Sequence, residues 1–225
     1  VAHASDLTGK ELSRILDEQR LKHSGQVRHD WIPLKLLLED GAVRGVLGIN
    51  IDSGKPETIL SKCIILAGSG FSSAWTGSGT AWGHLLNLAV EAGAPVRGME
   101  FVGEHPLFVR GTTIGIPLYL LDHGATIRTS SGDVIDHQEH TADELSSIMH
   151  DAGECVLDAR MLDSTSRKWC ASTIELVKER FGINLEEDVL PVEPRPHITH
   201  GGLVVDERGR VLDGAWTSWF TGLFA

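Results

Sequence analysis

Glu104 and His105 have the side chains best suited to chemistry, because of their types and their position. They lie in the octet Met99–Pro106, which reads MEFVGEHP. The pattern predicts a short strand over Met99 to Val102 and a turn at Gly103 that Pro106 ends. Polar groups that follow a strand are often directed into a cleft. Two interpretations stay open, a turn with two solvated side chains or a binding site that contains His105.

Two further sets of side chains could bind a ligand. His197 and Thr199 lie between prolines and the pair Gly201-Gly202, a tightly turned setting. His137 and His140 have the spacing of a metal-binding pair, but no third ligand is evident in this polar stretch. We therefore expect a solvated surface there and no metal site.

Four segments carry a resemblance to one family, in the same order as in that family. They read ASDLTGKEL from Ala4, CIILAGSG from Cys63, MEFVGEHP from Met99 and PHITHGG from Pro196. Together they resemble the succinate dehydrogenase, fumarate reductase and L-aspartate oxidase flavoproteins. The chain stops at GLFA, where the family reads GLFA or GLYA before a Gly-Glu pair. The resemblance spans nearly all of this chain but only the middle of a family flavoprotein.

The resemblance implies an FAD cofactor and a small carboxylate substrate. His105 and His197 would bind the substrate's carboxylates through charge-assisted hydrogen bonds, and Thr199 would assist. His84 stands where the family usually has an aspartate, which leaves its cofactor contact open. The resemblance places these residues at the cofactor: Gly68, Ser69, Gly70, His84, Gly201 and Gly202. The glycines around Ser69 do not form a dinucleotide-binding fingerprint, so a simple loop is the alternative there.

The family's proton relay has no counterpart in this sequence. Ala142 stands where a motif of the family has the proton-donating arginine, and Leu118 and Leu121 stand where a second motif has a glutamate and an arginine. Uncompensated charges are costly in a closed cleft, so joint loss of the three predicts a relay that has been abandoned. If the protein is an enzyme, solvent, Asp122 or His123 is the candidate for proton transfer.

The flavin-binding segments that the family places before and after this region are missing from the sequence. We therefore expect the polypeptide alone to hold FAD poorly, with a partner chain or further segments completing the domain. One hypothesis is an FAD-dependent oxidoreductase component; the other is a non-catalytic relative that serves as a structural or assembly subunit. The apolar segment from Trp216 to Ala225 favours the second, because it requires a partner surface or a completed sheet.

Composition limits the class of protein and its surroundings. The 225 residues carry a formal net charge of -11, which argues against nucleic acid or an anionic membrane as partner. Three cysteines without a paired motif indicate a reducing compartment, cytoplasmic or peripheral to a membrane through a complex. No apolar run reaches the roughly 18 residues of a membrane span, and the missing initiator methionine indicates a fragment.

Hydrophobic periodicity predicts an α+β fold in two parts. Residues 1–103 and 196–225 form the incomplete flavin domain, with a β-meander, and residues 104–195 form an inserted α+β capping domain. Helices are expected over 8–23, 82–92, 143–151 and 167–181. Strands are expected over 27–39, 43–51, 57–66, 116–121, 155–158, 203–205, 210–212 and 219–225, with a hairpin turn at 130–133.

Overall fold

The computed structural model describes residues 3–76 and 82–225. The helices are α1 (Thr8–Lys22), α2 (Ser73–Thr76), α3 (His84–Glu91), α4 (Tyr119–Asp122), α5 (Ala142–Ala152), α6 (Ser164–Trp169) and α7 (Ala171–Phe181). The strands are β1 (Trp31–Glu39), β2 (Ala42–Asn50), β3 (Pro56–Leu60), β4 (Ile64–Ile65), β5 (Val96–Arg97), β6 (Val102–Val109), β7 (Thr126–Thr129), β8 (Val134–Ile135), β9 (Cys155–Asp158), β10 (Leu190–Thr199), β11 (Gly202–Leu203), β12 (Arg210–Leu212) and β13 (Trp219–Phe224). This mixture of helix and sheet confirms the α+β class. No helix within the described residues is long and apolar enough to span a bilayer.

The chain divides into two compact units. Unit 1 comprises Val1–Gln26 and Glu104–Pro196, and unit 2 comprises Val27–Gly103 and His197–Ala225. The sequence placed residues 1–103 together in the flavin domain, whereas the first 26 group with unit 1. Asp6 is one reason, because its carboxylate accepts hydrogen bonds from the Thr173 amide at 2.8 Å and the Thr173 hydroxyl at 2.9 Å. That unit 1 serves as a capping domain stays a prediction.

Unit 2 is organised around the sheet β1-β2-β13-β12. Strands β1, β2 and β3 form the expected antiparallel meander, with β2 in the centre. The strand expected over 57–66 is broken, since β3 ends at Leu60 and β4 instead pairs in parallel with β13. The Ser61 hydroxyl donates to the Cys63 carbonyl across this break. Helix α3 packs Leu88 and Ala89 into the core beside Leu36, Val43 and Leu223.

The C-terminal segment is accommodated within unit 2. Strand β13 lies between β2 and β12, and it buries Phe220 and Leu223. The sequence allowed either a partner surface or a completed sheet for these apolar side chains. The sheet covers Phe220 and Leu223, whereas Trp216 is 59% exposed, so a role for this segment in a structural subunit stays a prediction.

Unit 1 is built on the sheet β6-β10-β9-β7-β8. The predicted hairpin turn joins β7 to β8, and strand β9 has the predicted bounds. Helices α5 and α7 pack Leu145, Met149 and Val177 against one hydrophobic core with the buried residues of this sheet. Strand β6 lies at the edge of the sheet, where a proline such as Pro106 is tolerated because the outer side has no ladder to break.

Two elements of unit 1 differ from the sequence prediction. The strand expected over 116–121 is wrong, because Tyr119 begins the single helical turn α4, in which the Leu120 amide donates to the Pro117 carbonyl at 3.2 Å. Proline favours the first turn of a helix through its fixed φ. The single helix expected over 167–181 is two helices separated at Cys170, where the Trp169 carbonyl accepts the Asp6 amide at 3.3 Å.

Asp158 provides a test of what stabilises unit 1. Its carboxylate is 5% exposed and accepts from Arg160 at 2.9 Å and Arg128 at 3.1 Å. The Arg160 guanidinium, more than any other group, lowers the pKa of Asp158 to about 2. Because the pKa of Asp158 is lower in the folded protein than in the unfolded chain, where it is about 4, the ionised carboxylate stabilises the fold above about pH 4. This contribution is lost as the pH falls toward about 2.

We expect Asp158→Asn to lower the free energy of unfolding at pH 7 by about 1–2 kcal/mol, after allowance for the exposed arginines. The difference from wild type should shrink between pH 4 and pH 2 in denaturant titrations of the intact protein. Glu186→Gln breaks the exposed pair with Arg167 and should cost less than about 0.5 kcal/mol. A deficit in Asp158→Asn that does not change with pH would contradict this account.

Candidate functional site

His105 lies within strand β6 and not in a turn. The predicted turn at Gly103 is wrong, because Glu104, His105 and Pro106 continue the strand. The turn comes earlier, where Phe101 donates to the Gly98 carbonyl at 3.1 Å. Gly98 has a φ of +66°, which glycine adopts at little cost. Gly103 is not among the glycines with a positive φ. The turn was predicted at Gly103 only because a glycine stands there.

The His105 ring has a defined orientation. The Leu107 amide donates to His105 Nδ1 at 3.1 Å, and the ring meets Phe108 edge-on at a centroid distance of 5.6 Å. Because Nδ1 accepts, the proton of the neutral ring resides on Nε2. The half-buried imidazole therefore has a donor atom of the type that a carboxylate would need.

Glu104 connects β6 to helix α5 through two contacts. The Glu104 amide donates to Asp143 Oδ1 at 2.6 Å, and Glu104 Oε2 lies 2.9 Å from His150 Nε2. Helix α5 itself begins with a capping box in which Thr141 and Glu144 exchange hydrogen bonds. No pattern in the sequence indicates that Asp143 and His150 contact Glu104, since both look like surface positions of an amphipathic helix.

Unit 2 contains a cleft of about 260 Å³. Five of the six residues predicted at the cofactor line it together: Gly68, Ser69, Gly70, Gly201 and Gly202. Apolar side chains complete the walls, among them Leu85, Leu86 and Leu203. These apolar residues were predicted only as helix and strand positions, and their common cleft depends on contacts between distant segments.

His84 lies apart from this cleft. It lines a neighbouring cavity of about 770 Å³ with Trp31, Pro33 and Trp82. Its Nε2 atom is 2.5 Å from the Pro33 carbonyl oxygen, so the ring is used to tie α3 to β1. Gly68 and Ser69 line both spaces. The part of the glycine-rich stretch at 77–81 lies outside the described residues.

Close backbone approach explains two of the cleft glycines. A Cβ added to Gly70 would overlap the Thr199 hydroxyl, and one added to Gly201 would overlap the Gly98 backbone. A Cβ on Gly202 would meet no heavy atom within 4 Å. Gly202 therefore leaves the cleft wall bare of side chain, as the flat rings and the diphosphate of a dinucleotide require. The residues present are compatible with such a group.

Thr199 has a structural contact in unit 2. Its hydroxyl oxygen accepts the Phe71 amide at 3.4 Å and lies against Gly70. This contact joins the end of β10 to the glycine-rich turn that forms the cleft. His197, on the same strand, is exposed. Assistance by Thr199 in binding a substrate and carboxylate binding by His197 both stay predictions.

Asp122 and His123 are both exposed, at the end of α4. Asp122 Oδ1 lies 3.8 Å from His137 Nε2, and the His123 ring is 4.0 Å from the Tyr119 ring. Within residues 3–76 and 82–225, no group of three or more metal-ligating side chains converges.

The positions matched to the family's relay all lie in unit 1. Leu121 is 4% exposed in the core of unit 1, and Leu118 packs against that core. Ala142 is the first residue of α5, directly after the capping residue Thr141. Leucine at 118 and 121 is thus explained by packing in unit 1, where a charged side chain would be costly to bury.

A family comparison identifies the fold and the cofactor class. The FAD binding domain family matches residues 1–225, the whole chain. The chain belongs to this family. FAD is accordingly its cofactor.

Comparison with individual proteins gives the same relationship. The succinate dehydrogenase flavoprotein subunit of Rickettsia conorii is 26% identical over 93% of this chain and 39% of its own length. The fumarate reductase flavoprotein subunit of Mycobacterium tuberculosis is 37% identical over 46% of this chain and 18% of its own length. The chain therefore spans at most about two fifths of these relatives.

Solved structures share the fold. A variant of the E. coli quinol fumarate reductase superposes with a TM-score of 0.85 at 23% identity, over 99% of this chain and 43% of that one. A flavocytochrome c3 fumarate reductase in its open conformation gives 0.70 at 18% identity, over 99% of this chain and 50% of that one. The family resemblance seen in the four sequence segments is confirmed.

The contact between Gly70 and Thr199 can be tested with a double-mutant cycle. Gly70→Ala should destabilise the protein by about 1–3 kcal/mol, because the added methyl group overlaps the Thr199 hydroxyl. Thr199→Ala removes that oxygen, and the next atom, Thr199 Cβ, would lie 3.2 Å from the new methyl group. The double variant should therefore recover most of the loss.

Thermal unfolding of the intact protein, with and without added FAD, measures the loss of stability in the single variants and its recovery in the double variant. A coupling energy of about 1 kcal/mol or more is expected for residues in such direct contact. Strict additivity of the two substitutions would show that the two segments do not meet as described.

Proposed function

We propose that this chain is the central part of an FAD-dependent oxidoreductase that acts on a small carboxylate. The observation that carries the proposal is the glycine-lined cleft of unit 2. Its walls come from segments about 130 residues apart in sequence, and the family resemblance assigns both segments to the cofactor independently of their contact. Bound flavin would supply a hydride acceptor or donor.

His105 supports a carboxylate as the substrate group. The Leu107 amide fixes its neutral tautomer with the proton on Nε2, and a charge-assisted N–H···O⁻ bond is short and strong. His197 and Thr199 are the further substrate contacts that the family resemblance implies. The names of the relatives, succinate dehydrogenase and fumarate reductase, support four-carbon dicarboxylates as the first compounds to test.

The second proton of such a reaction needs a donor or acceptor other than the family relay. Leu118 and Leu121 are apolar and packed with the core of unit 1, and Ala142 has no titratable group. Asp122 and His123 are exposed titratable groups within the same matched segment, directly after Leu121, and we propose one of them for proton transfer. The alternative, a non-catalytic subunit, is supported by the same three replacements.

The cofactor part of the proposal is tested by the visible absorbance, between about 350 and 500 nm, of the purified native assembly that contains this chain. The flavin double band is expected before denaturation, with release of FAD afterwards. Gly202→Ala should retain FAD and Gly202→Leu should lose most of it, because the side chain enlarges where the wall is now bare.

Equal melting temperatures for the two Gly202 variants in the absence of FAD would show that folding is unaffected. A folded native assembly that contains this chain and no flavin would remove the oxidoreductase proposal and leave the structural subunit. Equal FAD content in Gly202→Ala and Gly202→Leu would place the cofactor elsewhere.

Proton transfer is tested with Asp122→Asn and His123→Ala. The variant that removes the acid should lower turnover by about 100-fold or more, while reduction of the flavin by dithionite is unchanged. Asp136→Asn, a nearby carboxylate change, is the control. Wild-type turnover in both variants would exclude Asp122 and His123 and leave proton transfer to solvent.

A further inference from the structure

We infer that helix α5 positions His105, with Asp143 and His150 as the positioning residues and Glu104 as the residue through which they act. The inference rests on the proposed function only in taking the ligand of His105 to be a carboxylate. The contacts themselves lie wholly within unit 1.

Both contacts come from one face of the helix. Asp143 and His150 are seven residues apart, which is about two turns and returns to nearly the same direction. Asp143 Oδ1 accepts the backbone amide of Glu104 at 2.6 Å. His150 Nε2 lies 2.9 Å from the carboxylate of the same residue. Helix α5 thus holds Glu104 by its main chain and by its side chain.

The helix is itself firmly placed. The Thr141 amide donates to Glu144 Oε2 at 2.8 Å, and the Glu144 amide donates to Thr141 Oγ1 at 3.3 Å. Leu145 and Met149 are buried in the core of unit 1. A capped helix anchored by its apolar face gives Asp143 and His150 fixed origins.

The strand needs such support at this point. Strand β6 is an edge strand, and Pro106 has no amide to donate. The amides on either side of His105 and Pro106 are satisfied by side chains, Glu104 by Asp143 and Leu107 by the His105 ring. The direction of the imidazole therefore depends on where Glu104 is held.

The energies favour an effect on geometry over an effect on stability. The contacts of Asp143 and His150 are exposed, and exposed charged contacts contribute at most about 1 kcal/mol to folding. Variants should therefore fold. Loss of a contact between α5 and Glu104 gives the backbone beside His105 more freedom. The Nε2–H donor of His105 is then less well preorganised, and the ligand binds more weakly.

The experiment measures the Kd of malonate for the intact flavoprotein by the change in flavin absorbance. Malonate is chosen because one methylene between two carboxylates cannot be oxidised to a carbon–carbon double bond. His105→Ala should raise the Kd by about 10- to 100-fold. Asp143→Ala should raise it by about 3- to 10-fold, and Asp143→Asn, which keeps an acceptor oxygen, should stay within about 2-fold.

Two comparisons separate positioning from a general structural effect. Asp143→Ala should add nothing in the His105→Ala background, since its effect passes through that ring. Asp151→Ala, which removes another carboxylate of α5, should leave the Kd unchanged. The amide of Glu104 should exchange with solvent at least about 10-fold faster in Asp143→Ala and at the wild-type rate in Asp143→Asn.

The outcomes distinguish the two proposals. A wild-type Kd in His105→Ala, with faster exchange at Glu104 in Asp143→Ala, overturns the carboxylate role of His105 and retains the positioning contact. A raised Kd in His105→Ala, with wild-type Kd and exchange in Asp143→Ala, overturns positioning by α5. Equal losses from Asp143→Ala in the presence and absence of His105 also overturn it.

Discussion

The close approach of backbone segments at glycine is the constraint on which the cleft of unit 2 depends. The absence of a Cβ at Gly70 leaves room for the Thr199 hydroxyl, and its absence at Gly201 leaves room for the backbone of Gly98. Any side chain at Gly70 or Gly201 would push apart segments that come from distant parts of the sequence. The cleft is therefore formed by hydrogen-bonded main chain and by the absence of Cβ atoms, with leucines as its outer walls.

Local patterns predicted the local elements well. The hairpin of β7 and β8 and strand β9 were found because their hydrophobic periods and turn residues agree with their final structure. Helix α1 was found from its helical period, although none of its residues is buried. The strand predicted from the apolar run at Ile116 is wrong, because a short run of this kind is equally typical of a buried strand and of a buried helical turn. Pro117 was the signal that could have decided it.

Contacts between distant segments account for the remaining differences. The break at Cys170 reflects a hydrogen bond from Asp6, which no window around 167–181 contains. The grouping of Gly68, Ser69, Gly70, Gly201 and Gly202 was predicted because a family resemblance supplied the long-range information. The roles of Asp143 and His150 were missed because periodicity shows that a residue lies on a surface and not what it meets there.

The place of strand β13 in unit 2 has a consequence for synthesis of the chain. This strand lies beside β2 and β4, although the whole segment 104–196 of unit 1 is made between them. The meander of β1 to β3 is synthesised first, and part of its core stays exposed until β13 has been synthesised. Such non-local pairing slows folding and prolongs exposure of apolar surface. During translation, most of unit 1 can complete its own core before unit 2 does, although unit 2 begins its meander earlier in the sequence.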